Sequence, residues 1–227
     1  ELTGAEARHA ATVRRIGPGE SVSLTDTRGR LAVGTVRAAG KAELSIQILE
    51  LTKVPEPTPQ ITVVQAIPKG DRGEMAVQML TEVGVDRIVP WQAQRSVAQW
   101  RGERAAKSLD KWRRTAFESS KQSRRAHFAT VADPIDTKQL VGSLQEGDLV
   151  VVLHEDAVAG LALVDPTPAQ RIVVVVGPEG GISPEEIEVL GANNCHRLGD
   201  TVLRTSTAGV VAASVLLSRT KRWNPDS

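Results

Sequence analysis

The chain has 227 residues, with 28 Lys/Arg against 27 Asp/Glu, 41% hydrophobic residues and only 3% aromatic ones. That length buries a substantial core and holds one large or two small domains, and a net charge of +1 selects no partner by itself. The lone cysteine, Cys195, excludes an intramolecular disulfide and a cysteine-based zinc site, and no His or Asp pattern beside it marks a nucleophile. No metal is therefore expected. No run approaches the ~20 apolar residues of a membrane span, and no signal-peptide pattern opens the chain, so a cytoplasmic protein without a membrane partner is expected. Because numbering starts at Glu1 and not at Met, a few residues are expected to precede it.

Charge is unevenly distributed. Residues 101–125 carry nine Lys/Arg and three Asp/Glu, whereas residues 143–200 carry ten acids and two bases. Such asymmetry can orient a polyanion on one face, although two oppositely charged solvated surfaces explain it equally well.

In chain order, Ala5–Ile16 reads as a short helix carrying Arg8, His9, Arg14 and Arg15. Alternating runs at Ser21–Leu24, Leu31–Val36 and Leu44–Leu51, with the turn Asp26-Thr27-Arg28-Gly29 between the first two, predict antiparallel strands of a small barrel or sandwich. Pro55, Pro57 and Pro59 then break regular structure and place a domain boundary. From Ile61 strands alternate with helices. Ile61–Ile67 and Asp86–Pro90 read as strands; between them Asp71–Val83 reads as a helix with Met75, Met79 and Val83 on its inner face and Gly84 as its C-terminal cap. A long helix spans about Glu103–Arg125, with Ala105, Leu109, Trp112 and Ala116 inward. Asp148–Leu153 and Arg171–Val176 are β-branched runs suited to a parallel sheet buried on both faces. The second part is thus an α/β domain.

Two loops carry the chemistry. Gly177-Pro178-Glu179-Gly180-Gly181 leaves the carboxyl end of a buried strand, where open α/β sheets bind ligands. Ser183-Pro184-Glu185-Glu186 then opens a helix with a capping box and proline at its first position. An anion there would meet Glu179, Glu185 and Glu186, and no phosphate-loop lysine is present, so a neutral or cationic ligand is expected. The second loop, Arg197–Arg204, offers Leu198, Gly199, Val202 and Leu203, then Arg204 before an uncharged helix with the face Ala208, Val211, Ala212, Val215 and Leu216. An arginine opening a buried helix is costly unless paired with a carboxylate or used.

Gly177–Ser183 followed by Leu198–Ala208 resembles the signature of the SPOUT methyltransferases, most closely the small-subunit rRNA uridine-N3 methyltransferases of the RsmE type. The resemblance covers nearly the whole chain. His9–Arg15 and the strands after it are similar to that family's PUA-like barrel. Glu82–Pro90 with Arg95-Ser96, and Trp112-Arg113-Arg114 with Glu118 and Gln122-Ser123-Arg124-Arg125, match two further motifs. Where the family often carries an acid two residues after the arginine, this chain has Ser206.

The resemblance implies an α/β methyltransferase domain at 61–227 with a deep trefoil knot, an exception to the rule that chains do not thread their own loops. Before it, at 1–54, it implies a PUA-like RNA-binding β-barrel with an incomplete N-terminus. The cofactor implied is S-adenosylmethionine, held by Leu153, Gly177, Pro178, Glu179, Gly180, Gly181, Leu198, Gly199, Val202, Leu203, Thr207 and Ala208. Methyl transfer to uridine N3 in 16S rRNA follows, with Arg204 as the catalytic residue stabilising charge on the base. His154 and Glu155 stand near the sheet edge as candidate bases, with water as the alternative. Arg8, Arg14, Arg15, Arg95, Arg113, Arg114, Lys121, Arg124 and Arg125 are the expected RNA contacts, chiefly to phosphate. Trp91 and Trp100 are the aromatic candidates for base stacking, with core packing as their other use. The partners implied are the small ribosomal subunit and a second copy bound through the C-terminal helix. Two other readings stay open: a methyltransferase of this fold with another RNA target, and a non-catalytic RNA-binding or assembly factor.

Overall fold

The computed structural model describes residues 1–224; the last three positions expected in the second domain lie outside them. The chain divides into two compact units, one formed by Glu1–Glu56 with Arg125–His127, the other by Pro57–Arg124 and Phe128 onward.

The first unit contains β1 (Leu2–Thr3), α1 (Gly4–Arg8), β2 (Ser21–Thr25), β3 (Arg30–Ala39) and β4 (Glu43–Lys53). Its four strands form one sheet in the order β1-β4-β3-β2, antiparallel throughout. The sheet is open, because β1 and β2 are its unpaired edges. Apolar alternation sends Val36 and Leu44 into a small core with Ala7. The expected helix Ala5–Ile16 keeps α geometry only to Arg8, and His9–Val13 continue as a wider turn in which Arg14 N–H donates to the His9 carbonyl at 3.1 Å. Residues 125–127 belong here because Gly29 N–H donates to the Ala126 carbonyl at 3.0 Å and His127 Nε2 lies 3.0 Å from the Val54 carbonyl oxygen.

The second unit runs β5 (Gln60–Ala66), α2 (Arg72–Glu82), β6 (Arg87–Trp91), α3 (Gly102–Gln122), β7 (Thr130–Val131), α4 (Thr137–Ser143), β8 (Leu149–Leu153), β9 (Arg171–Val176), α5 (Pro184–Leu190), β10 (Cys195–His196) and α6 (Thr205–Leu217). Its six strands lie in the order β10-β8-β9-β5-β6-β7, and every neighbouring pair is parallel. Parallel neighbours need crossovers, which place helices on both faces. Ile61, Val63, Ile172 and Val174 pack with α2, α3 and α6 on one face. Val64, Ala66, Val173 and Val175 pack with α4 and α5 on the other. This explains why Val173–Val176 is apolar without alternation.

Three expectations about the helices change. The inner stripe of α2 is Gly73, Ala76, Val77 and Leu80, while Met75 is half exposed. Close packing on α3 dictates the stripe, since a Cβ at Gly73 would lie 2.6 Å from the Trp112 ring. The helix α3 stops at Gln122, so Arg124, with φ 53°, and Arg125 lie beyond it. On α6, Val211 points outward and Gly209 inward, where a Cβ would sit 3.1 Å from Val176 Cγ2 and 3.4 Å from Leu80 and Val63. As expected, Gly84 follows α2 in a left-handed conformation, φ 103°.

Beyond α6, Arg222 closes the amino edge of the sheet. Its guanidinium pairs with Asp86 at 2.6 Å and 3.2 Å and donates to the carbonyls of Pro59 and Gly84. Asp86 Oδ2 also accepts from Ile61 N–H at 2.9 Å.

Candidate active site

The carboxyl ends of β8, β9 and β10 and the first turn of α6 surround a cavity of about 320 Å³, within the range of small-molecule sites. Both sequence-predicted loops line it. Leu153, Gly177, Pro178, Glu179, Gly181, Leu198, Gly199, Val202, Leu203 and Ala208 all face this space, as does Arg204. Two expected cofactor residues do not. Gly180 backs onto the β6–α3 connection, where its missing Cβ would lie 3.1 Å from the Arg95 carbonyl oxygen. Thr207 turns its hydroxyl back to the Arg204 carbonyl at 3.1 Å.

The loops take these shapes for local reasons. A Cβ at Gly177 would lie 2.7 Å from Ile182 Cγ1, so only glycine lets the chain fold over Ile182. Gly199 adopts φ 126°, a conformation other residues avoid. After the first loop, α5 begins with Ser183 Oγ accepting from Glu186 N–H at 3.2 Å and Glu186 Oε2 accepting from Ser183 N–H at 3.1 Å.

The charge pattern corrects one sequence argument. Of the three glutamates invoked against an anionic ligand, only Glu179 lines the cavity. Glu186 is buried and its Oε1 accepts from Gln94 N–H and the Thr137 hydroxyl, at 2.9 Å and 2.7 Å. The cavity instead has mixed signs. Arg72, unanticipated from the sequence, pairs with Glu179 at 3.7 Å, and Arg197 pairs with Asp200 at 3.9 Å. Arg204 is exposed and makes no ion pair or side-chain hydrogen bond among the described residues, so it is not a structural arginine tied to a carboxylate. A signal for Arg72 was present: it opens the helix that follows β5, on the carboxyl side of that strand.

Two histidines also line the cavity, with different protonation patterns. His154 Nδ1 accepts from Asp156 N–H at 3.2 Å, which places the neutral ring's proton on Nε2. His154 therefore lacks a free lone pair to act as a base at Nε2. His196 Nδ1 lies 2.9 Å from the Asn194 carbonyl and so must donate, leaving Nε2 as an acceptor. Ser206 is buried in the first turn of α6 and does not face the cavity.

One buried polar group stands out beside the site. Gln65, fully buried at the end of β5, donates through Nε2 to the carbonyls of Ala66 at 3.1 Å and Thr205 at 3.3 Å. Its Oε1 has no partner among the described residues, a burial that costs about 1–3 kcal/mol.

The expected RNA contacts separate by unit. Arg8, Arg14 and Arg15 are exposed in the first unit, which also holds Arg125, whose Nε donates to the His127 carbonyl at 2.9 Å. In the second unit Arg95, Arg114 and Arg124 are exposed. Arg113 is committed to Asp133 at 2.9 Å, and Lys121 to Glu118 at 3.4 Å. Trp91 is fully buried and offers no stacking face, while the half-buried Trp100 meets Trp112 in a T-shaped contact with ring centroids 5.0 Å apart. Two aromatic rings unremarked in the sequence are exposed among the described residues, Trp223 and Phe117, the latter with Lys121 Nζ 5.5 Å from its ring centroid.

Comparison with known proteins agrees with this geometry. An RNA methyltransferase domain profile matches residues 54–217, and an RNA methyltransferase PUA domain profile matches residues 2–49. The chain is 44% identical to ribosomal RNA small subunit methyltransferase E of Mycobacterium bovis, over 98% of this chain and 87% of that protein. It is 30% identical to the Bacillus subtilis protein of the same name, over 99% and 92%. A crystal structure of ribosomal RNA small subunit methyltransferase E from Neisseria gonorrhoeae bound to S-adenosyl methionine superposes with a TM-score of 0.85 at 26% identity, over 96% and 90% of the two chains. With both profiles and nearly full-length relatives in agreement, the chain belongs to the ribosomal RNA small subunit methyltransferase E family of RNA methyltransferases.

Proposed function

We propose that the chain uses S-adenosylmethionine to methylate N3 of a uridine in 16S rRNA, with the cavity at β8, β9 and β10 as its cofactor site and Arg204 as its catalytic residue. The observation that carries this reading is the unpaired Arg204 on a cavity whose other two arginines are both paired. The lining suits the cofactor. Leu153, Leu198, Val202 and Leu203 offer apolar walls for a flat ring, the glycine loops expose main chain, and the paired charges suit a zwitterion with a sulfonium. When bound, the cofactor supplies an electrophilic methyl group, so the chain contributes positioning and electrostatics.

Arg204 acts on the substrate side. Loss of the N3 proton to water leaves negative charge spread over the base, and a guanidinium held beside it stabilises that charge. The exposed Arg95 and Arg114 of the second unit, and Arg8, Arg14 and Arg15 of the first, bind phosphate. The division of labour is a PUA-like RNA-binding unit and a methyltransferase unit, acting in the cytoplasm as a homodimer. The half-buried Val210, Ser214 and Val215 and the exposed Val211 on the uncharged α6 support a partner copy on that helix. We further propose the trefoil knot: α6 returns from β10, at one edge of the sheet, to pack on β5 and β9 at its centre.

Reverse transcription across 16S rRNA, with and without the protein in the cell, tests the reaction. N3 methylation blocks Watson–Crick pairing, so one strong stop should vanish in the knockout and return with the wild-type gene. An unchanged stop pattern, with S-adenosylmethionine binding intact, would instead favour another RNA target. Absence of cofactor binding in calorimetry would favour a non-catalytic assembly factor.

A further inference from the structure

Gln65 is polar where its row of the sheet is apolar. In register, Leu153 of β8 stands beside Val176 of β9, and Val176 beside Gln65 of β5. Leu153 and Val176 line the cavity, and Gln65 sits one strand further along, beneath the start of α6. An apolar side chain of this shape would leave no orphan acceptor, so packing alone does not account for a carboxamide here. Its orientation is forced, because a flipped amide would set its oxygen against two carbonyl oxygens.

The Nε2 bond reaches the residue that follows Arg204. No side chain caps α6 at Arg204, and among the described residues Gln65 is the one side chain from another element that bonds its first turn. The Arg204 guanidinium has no anchor of its own, so the direction it leaves the backbone depends on how this first turn is held.

We propose that Gln65 is a positioning residue for the methyl transfer, fixing the backbone at Thr205, the residue after Arg204, so that the guanidinium is presented at the cavity. This rests on the reading that Arg204 acts on the reacting base. Misplacement by about an ångström far from the chemistry can cost on the order of 10²-fold in rate, which sets the scale of the effect.

The test measures kcat and KM on small ribosomal subunits, and the dissociation constant for S-adenosylmethionine, for Gln65→Met, Arg204→Ala and the double variant. Gln65→Met, an unbranched apolar replacement of similar volume, should fold with an unchanged or raised Tm. Its kcat should fall about 10- to 100-fold, with KM and cofactor affinity within about threefold of wild type. The double variant should turn over no more slowly than Arg204→Ala alone, the signature of one residue acting through another. Gln65→Leu, likewise without a donor, should repeat the kcat loss, and it serves if the methionine variant fails to fold. Wild-type kcat in the Gln65 variants beside a crippled Arg204→Ala overturns the positioning role and leaves the Arg204 reading standing. Fully additive losses in the double variant also overturn it. Wild-type turnover in Arg204→Ala removes the underlying reading instead.

Discussion

The helices α5 and α6 both start at the carboxyl edge of the parallel sheet, each after a loop that lines the cavity, yet their first turns are built in opposite ways. At α5 Ser183 and Glu186 are 1% and 4% exposed, and the Glu186 carboxylate accepts from Ser183, Gln94 and Thr137. At α6 the opening residue is a charged arginine with no side-chain cap and no ion pair among the described residues. A buried charge is tolerable only when its hydrogen bonds are filled, and a filled charge has nothing left for a substrate. One helix start is therefore an internal joint; the other leaves a charged side chain at the cavity, with Gln65 bonded to its first turn.

Substitutions can break or sharpen this contrast. The largest effect should come from Arg204→Ala, with kcat on small subunits lower by about 10²–10³-fold and stability near wild type. A loss of stability instead of turnover would erase the contrast. Glu186→Ala should do the reverse, lowering unfolding free energy by about 3 kcal/mol because three donors lose a charged acceptor, read as a lower denaturant midpoint. Ser183→Ala, which removes the cap but leaves the carboxylate, should cost only about 1 kcal/mol. Away from both helix starts, Arg114→Ala should weaken subunit binding and lower its log–log salt slope by about 1. Arg113→Ala should move the slope less, since Arg113 is already committed to Asp133. The smallest effect concerns Cys195, on the strand that leads to α6. Burial raises its thiol pKa, so at neutral pH it holds less thiolate than a free cysteine. Alkylation by iodoacetamide should be slower than that of a small thiol and should keep accelerating at a pH where the small thiol has levelled off.

Much of this was legible in the sequence, because the deciding signals were local. The box Ser183-Pro184-Glu185-Glu186 specifies a helix start whatever surrounds it, and the run Val173–Val176 reads as a doubly buried strand. What was not legible depends on neighbours distant in sequence. The inner face of α2 was misread because Gly73 faces in for closeness to Trp112, with Ala76 buried on the same side, and hydrophobicity points to the methionines. Glu186 looked like a charge facing a ligand, and only its bonds to Gln94 and Thr137 reveal an internal tie. Arg72 and Gln65 escaped notice because neither lies in a loop with a motif; Gln65 follows from the register of β5 beside β9, and Arg72 from the start of α2 after β5.

The Arg222 clamp has a consequence for synthesis. Its guanidinium lies 136 residues after Asp86 in the chain, so at roughly 5–20 residues per second it emerges about 7–27 s after the carboxylate it meets. Throughout that interval the amino ends of the first two strands of the sheet lack their last tie. The nascent domain thus depends on a late residue to fasten its earliest strands, and a stop just before Arg222 would release a chain that carries every cavity residue but not the bond that shuts the opposite edge.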